Sequence, residues 1–312
     1  MSDTAKKIVL LLVAVVGTLG VGEVVLRALD YGTLRPELNF GVNTRMSLDK
    51  GQFEPDPDLF WKMPPHPLDA GMRAVQPDRP LPPRMRTHRI LVLGDSCSKI
   101  SRQIPPYSVL LEDTLSAEGL SVEVWNASVP GYTSWQGRAW LDRQLLDLAP
   151  EVAVIYFGWN DHWRSTGVTD AAYAARQRGG ALRLARLLQR PPAVSPLRVS
   201  ADEYEANLTA MTAALAARGA AVVLVAAPSH LTAEARAVLV RTGYLNEDDD
   251  PVALHRDYLL RLKKVADATD AVMLNASALF AGLEAPDALI LRDGIHLTDQ
   301  GHQVLAAALA EV

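Results

Sequence analysis

From residue 88 onward, short apolar β-rich runs alternate with amphipathic stretches of helical period. The runs are Arg89 to Leu93, Ser121 to Trp125, Val152 to Phe157, Ala221 to Ala226 and Ala271 to Leu274. The amphipathic stretches lie near 106–118, 135–147, 202–218, 254–268 and 299–311. Strand followed by helix, repeated five times, predicts an α/β fold with a doubly wound parallel sheet covered on both faces.

Upstream the pattern is different. Lys6-Lys7 precede a charge-free apolar run from Ile8 to Gly22, which Val24-Val25-Leu26 continue past Glu23 and Arg27 to Leu29. A helix from Ile8 to Leu29 would be about 33 Å long at ~1.5 Å per residue, enough to cross a bilayer. Glu23 and Arg27 are spaced to pair i,i+4 near the far interface. The two lysines predict a cytoplasmic N-terminus and an exported remainder, in a cytoplasmic membrane with the rest of the chain periplasmic. A cleaved signal peptide, secreting the rest, is the other reading, with Gly20 and Gly22 as the small residues of a weak cleavage site. Residues 31–87 hold ten of the twenty prolines, a density that excludes long helices and central strands. The expected organisation is therefore a membrane anchor or signal segment over 1–30, a proline-rich extended spacer over 31–87, and an α/β domain over 88–312 onto which Phe60-Trp61 of the spacer pack.

Composition narrows the partners. The 312 residues are 49% hydrophobic and 21% charged, which fits a globular chain and excludes wholesale disorder. A net charge of −5 gives no basic footprint for nucleic acid. The single cysteine, Cys97, excludes an intrachain disulfide and a cysteine-based metal site, and the seven histidines are too scattered to suggest a metal.

In doubly wound sheets the ligand crevice lies beyond the carboxyl ends of the strands. The first strand ends there in Gly94-Asp95-Ser96, placing a serine on the turn. Alone, that tripeptide is equally a plain turn in which Asp95 bonds its own backbone. The second strand runs into Asn126-Ala127-Ser128-Val129-Pro130-Gly131, where Gly131 admits close backbone approach and an N–H aimed at a ligand. The third ends in Gly158-Trp159-Asn160-Asp161, and the Asn160 amide can donate to a developing oxyanion. Near the C-terminus, Asp293-Gly294-Ile295-His296 sets a carboxylate three residues before an imidazole, so that it can hold the tautomer and leave the other ring nitrogen as a general base.

These four blocks, GDSCS from Gly94, NASVPGYTS from Asn126, GWND from Gly158 and DGIHLT from Asp293, resemble in order and spacing those of the SGNH hydrolase superfamily, the GDSL-type esterases and lipases. The resemblance covers residues 88–312 and suggests a membrane-anchored bacterial member. It implies a three-layer α/β/α, flavodoxin-like arrangement of five parallel strands. Carried over by position, Ser96 resembles the nucleophile, His296 the base and Asp293 its orienting carboxylate. The oxyanion hole would be the N–H groups of Ser96 and Gly131 with the Asn160 side chain, and Asp95 looks structural. Cys97 stands where the family often has a bulkier apolar residue, and no motif supports a cysteine nucleophile. The implied activity is a serine esterase working through an acyl-enzyme without a cofactor. An O-acyltransferase of envelope carbohydrate or a lipase/lysophospholipase would use the same residues, and both stay open.

Tyr132, Trp135, Trp159, His162 and Trp163 lie within a few residues of Gly131 or Asn160. They are expected to flank the oxyanion hole and stack on a sugar face, unless they are core packing under the insertion after the third strand. No extended apolar stretch after residue 30 suggests a long acyl tunnel, so the expected substrate is a short acyl ester, such as acetyl, on a carbohydrate or lipid-linked alcohol. The insertion, residues 163–200, carries Arg176, Arg178, Arg183, Arg186, Arg190 and Arg198, which suggests a surface helix covering the site or touching anionic lipid, or a solvated basic face. Asp248-Asp249-Asp250 reads as a solvated loop, and His255 and His302 as surface residues or supports behind the site.

Overall fold

A computed structural model of the chain describes residues 2–29, 31, 40, 47–178, 182–187, 194–283, 285 and 288–312. The first helix, α1 (Asp3–Ala28), starts at Ser2, whose side chain accepts from the Ala5 N–H. It is long and apolar enough to cross a membrane, and its leucines and valines, half-buried Leu26 excepted, lie exposed along its length. The expected pair forms: Arg27 donates to Glu23 at 2.8 Å.

Next come a two-stranded antiparallel hairpin, β1 (Glu54–Asp56) and β2 (Phe60–Lys62), and the two-residue strand β3 (Arg73–Ala74). The remaining strands are β4 (His88–Gly94), β5 (Val122–Ser128), β6 (Val152–Tyr156), β7 (Ala221–Val225) and β8 (Val272–Leu274). The helices after α1 are α2 (Ser96–Lys99), α3 (Tyr107–Ala117), α4 (Ser134–Arg143), α5 (Asp170–Arg178), α6 (Arg183–Leu187), α7 (Ala201–Ala216), α8 (Ala233–Arg241), α9 (Pro251–Ala268), α10 (Ala276–Ala281) and α11 (Asp299–Ala310).

Strands β3-β5-β4-β6-β7-β8 form one parallel sheet in that order. Successive side chains of a strand point to opposite faces, and here both faces are apolar. Leu91, Leu93, Ala153 and Ile155 pack beneath α4, α7 and α9, through side chains such as Trp140, Tyr204, Leu208 and Leu262. Ile90, Val92, Val154 and Val223 pack beneath α3 and α11, through Tyr107, Leu111, Leu305 and Leu309. The result is the three-layer α/β/α arrangement that the strand–helix alternation predicts.

One expectation is corrected and another extended. The sheet of the described residues has six strands rather than five, because β3 pairs with β5 at the edge through Arg73↔Trp125 and Ala74↔Asn126. The described residues of the proline-rich segment dock on the domain more widely than the expected Phe60-Trp61 contact. Phe53, Leu59, Phe60, Trp61 and Met63 are buried in the same core as Leu91 and Tyr204. Proline bars long elements here, but short ones at a sheet edge still let the intervening aromatic side chains be buried.

Candidate active site

The register of the central strands brings the three motifs together. Gly94 of β4 pairs with Ser128 of β5 and with Tyr156 of β6, so three adjacent strands release their motif loops at one level. A Cβ on Gly94 would lie 2.4 Å from Ser98 Oγ and 3.0 Å from the Tyr156 carbonyl, so only glycine lets the serine turn sit this close to the sheet. Helix α2 begins at Ser96 and is capped by Asp95, whose carboxylate accepts from the Cys97 N–H at 2.8 Å and from Asn160 Nδ2 at 2.8 Å. Buried Asn126 braces this turn by donating to the Ser98 carbonyl at 2.8 Å and Ser108 Oγ at 2.9 Å.

His296 arrives from the loop before α11. Asp293 Oδ1 accepts from the backbone N–H groups of Ile295 and His296, each at 3.0 Å, which leaves Oδ2 to meet His296 Nδ1 at 2.9 Å. With Nδ1 protonated toward Asp293, Nε2 is free to accept from the Ser96 hydroxyl, 2.8 Å away. The His230 N–H donates to the Gly294 carbonyl at 2.9 Å and fastens this loop to the one after β7.

The electrostatics favour a charged Asp293. Burial works against that charge, but the hydrogen bond and charge of His296, with the two backbone donors, hold the carboxyl below its ordinary value. Burial pushes Asp95 up to about 6, although the Cys97 N–H, the charge of His296 and the Asn160 amide pull the other way. Burial, reinforced by Asp95 and Asp293, also pushes the Cys97 thiol well above its ordinary value. Its Sγ sits 3.6 Å from the Ile295 carbonyl, whereas it is Ser96 Oγ that meets His296 Nε2, at 2.8 Å. A buried thiol that resists ionisation is a poor nucleophile.

Ser96, Gly131, Asn160 and His296 line one pocket of about 230 Å³. Gly131 has φ +83°, a left-handed conformation that glycine adopts freely. Among the described residues, neither the Ser96 N–H nor the Gly131 N–H has an acceptor. Two unpaired backbone donors and an amide beside a serine hydroxyl on a histidine can bind a tetrahedral oxyanion as it forms.

The aromatic expectations fare differently. Tyr132, Trp135, Trp159 and His162 do not line the pocket, although they are close to the motifs in sequence. Tyr132 is buried and donates to the Trp61 carbonyl at 2.6 Å. Trp135 stacks on Phe60 at 4.8 Å. Trp159 stacks on His255 at 4.0 Å, and His162 Nε2 meets His255 Nδ1 at 3.3 Å. Tyr132, Trp159 and His162 are buried and Trp135 is half-buried against the same core, so none of the four contributes to the pocket wall. Trp163 alone of the group reaches the pocket.

His255 is buried rather than superficial, and His302 is a support: its Nδ1 accepts from the Tyr107 N–H at 3.2 Å and its Nε2 meets the carbonyl of Ile100, a pocket residue, at 3.0 Å. Asp249 is paired with Arg164, and Asp250 caps α9, so the acidic run is not simply solvated. In the insertion, α5 and α6 are short separate helices. Arg190 and the side chains of Arg178 and Arg186 lie outside the described residues. Arg198 is buried at 3% exposure and lines the pocket, contrary to its reading as part of a basic surface. Phe53, from the segment before the α/β domain, also lines it. No local pattern marks Arg198, because its partners come from distant parts of the chain.

Residues 92–304 match the GDSL-like lipase/acylhydrolase family, and the chain belongs to it. Among solved structures, the lipase/acylhydrolase from Enterococcus faecalis aligns over 72% of this chain and 94% of its own, at 19% identity and a TM-score of 0.53. The acetyl xylan esterase AlAXEase aligns over 72% of this chain and 98% of its own, at 17% identity and a TM-score of 0.50. Both likenesses are of fold. A comparison with curated protein sequences gives no match. By family, the protein is an ester-bond hydrolase.

Proposed function

We propose that the chain is a serine esterase for short acyl esters, acetyl foremost, tethered by α1 with its catalytic domain outside the cytoplasmic membrane. The observation that carries the mechanism is the hydrogen-bonded line from Asp293 through His296 to Ser96, at 2.9 and 2.8 Å. Ser96 Oγ attacks the ester carbonyl carbon while His296 Nε2 takes its proton, and Asp293 stabilises the imidazolium. The former carbonyl oxygen, now an oxyanion, accepts from the N–H groups of Ser96 and Gly131 and from the Asn160 amide. The C–O bond to the alcohol breaks, His296 protonates the departing alkoxide, and the acyl group remains on Ser96. Water, deprotonated by His296, then attacks the acyl carbon. The carboxylic acid leaves, and the proton returns to Ser96.

The short acyl group rests on the pocket. Its volume of about 230 Å³ falls below the roughly 300–1,000 Å³ of drug-sized ligand sites. Ile100, Leu239 and Ile295 give it an apolar wall suited to a small alkyl group. The tether rests on the exposed apolar surface of α1 and on Lys6 and Lys7 at its start.

The test measures kcat/KM for acetyl through decanoyl esters with the full chain in detergent, with Ser96→Ala as control. We expect the highest value at acetyl and none with the variant. A preference rising steadily with chain length would refute the short-acyl assignment in favour of a lipase. Turnover that requires a carbohydrate acceptor would make the protein an acyltransferase. Protease added outside spheroplasts should digest the catalytic domain, and protection would refute the orientation.

A further inference from the structure

The loop carrying Gly131 is held by two side chains from outside the strand–helix repeat. Buried Trp61, from β2, donates its Nε1–H to the Pro130 carbonyl at 3.3 Å. Arg198, at the end of the insertion, donates Nη1–H to the Gly131 carbonyl at 2.6 Å. The two are themselves joined, since the Arg198 guanidinium lies 5.5 Å from the Trp61 ring. Arg198 is locked from behind: Asp170 takes its Nε and Nη2 at 3.1 and 3.0 Å, and Gln136 Oε1 takes Nη2 at 2.9 Å.

The peptide bond gives these contacts a chemical meaning. The Pro130–Gly131 peptide is planar and trans, so its C=O and N–H point in opposite directions. Binding the Pro130 oxygen on one side therefore fixes the direction of the Gly131 N–H on the other. Fixing the Gly131 carbonyl pins the next peptide and so holds Gly131 at its left-handed φ of +83°. Neither side chain has to touch the reacting atoms. Both determine where an N–H in the pocket points.

We propose that Trp61 and Arg198 are positioning residues that aim the Gly131 N–H at the oxyanion, so that the proline-rich segment and the insertion serve the reaction itself. This rests on the serine esterase reading. It predicts a loss in the transition state only: an interaction made there alone lowers kcat and kcat/KM together and leaves KM unchanged.

The test compares Trp61→Phe, which keeps a ring in the core but removes its N–H, and Arg198→Lys, which keeps a charge opposite Asp170. Steady-state kinetics on an activated acetyl ester are run with the full chain in detergent, alongside thermal unfolding and Ser96→Ala. Removing one neutral hydrogen bond that orients a donor should lower kcat about 3–10-fold in Trp61→Phe. Arg198→Lys should lower it about 10–100-fold, short of the roughly 10²–10³ for outright loss of an oxyanion donor. KM should stay within about twofold, and inactivation by a serine-directed phosphonate should slow by the same factor as kcat. Folded variants with unchanged kcat would overturn the inference, and so would a loss confined to KM or one that tracks only a fall in melting temperature. Wild-type activity in Ser96→Ala would instead overturn the serine esterase reading, so the two failures are distinguishable.

Discussion

Replacing His255 by phenylalanine should expose an acid response that the wild-type protein partly conceals. His255 is buried, its ring lies 4.0 Å from that of Trp159 at an interplanar angle of 7°, and its Nε2 meets the Ala227 carbonyl at 3.0 Å. Burial pushes its pKa down to about 4, against an ordinary 6.5. Between those values the unfolded chain binds a proton that the folded protein excludes, so this residue's contribution to stability is complete above pH 6.5 and is lost as pH falls toward 4. Linkage puts the loss between about pH 7.5 and pH 4.5 at roughly 2–3 kcal/mol. His162, also depressed by burial, acts in the same direction. Asp95 and Asp161 oppose both. Burial raises them to about 6 and about 7, so the folded protein takes up their protons before the unfolded chain does, and they add stability as pH falls. These opposing responses offset one another in part, so His255 is read most cleanly from a difference between two proteins. His255→Phe keeps the stack on Trp159 but leaves both the Ala227 carbonyl and His162 Nε2 without their partner, which should cost about 1–3 kcal/mol for each at neutral pH. Near pH 4.5 that deficit should shrink by about 2–3 kcal/mol. Urea unfolding of both proteins in detergent, monitored by tryptophan fluorescence at the two pH values, measures the change directly. An equal stability difference at both would refute the reasoning.

Asn160→Ala should lower kcat by about 10²–10³ and leave KM nearly unchanged, as steady-state kinetics on an activated acetyl ester would show. Trp159→Ala should destabilise the fold by about 3–5 kcal/mol in urea titrations, since its ring is core packing rather than a sugar platform. Its residual activity should fall equally on carbohydrate and synthetic esters, and a loss confined to the carbohydrate ester would restore the platform. Cys97 should resist iodoacetamide in the folded protein and react in urea, as mass spectrometry would record.

The α/β order and its strands were legible because buried parallel strands are nearly pure apolar runs, and the polar motifs that break them fall at their carboxyl ends. The pairing of Asp293 with His296 was legible from a spacing of three residues, and their meeting with Ser96 from the order of the four blocks. The roles of Trp61 and Arg198 were not. Each acts on the Gly131 loop from 69 and 67 residues away in the chain, and no local period encodes such a contact. Proline density excluded long elements from residues 31–87, and none occurs among the described residues there, but it gave no sign that Phe53, Leu59 and Met63 would be buried beside Phe60 and Trp61. Proximity in sequence misled for Tyr132, Trp135, Trp159 and His162. A residue next to Gly131 or Asn160 can point into either layer; Tyr132, Trp159 and His162 are buried in the core, and Trp135 packs half-buried against Phe60.

The most direct test of the catalytic assignment is covalent labelling of the full chain with a fluorophosphonate, with the adduct located by peptide mapping. One adduct on Ser96 is expected, forming in step with the loss of esterase activity and absent after denaturation. His296→Ala should slow labelling by orders of magnitude without unfolding the protein. Labelling at another residue, or loss of activity without modification of Ser96, would contradict the account.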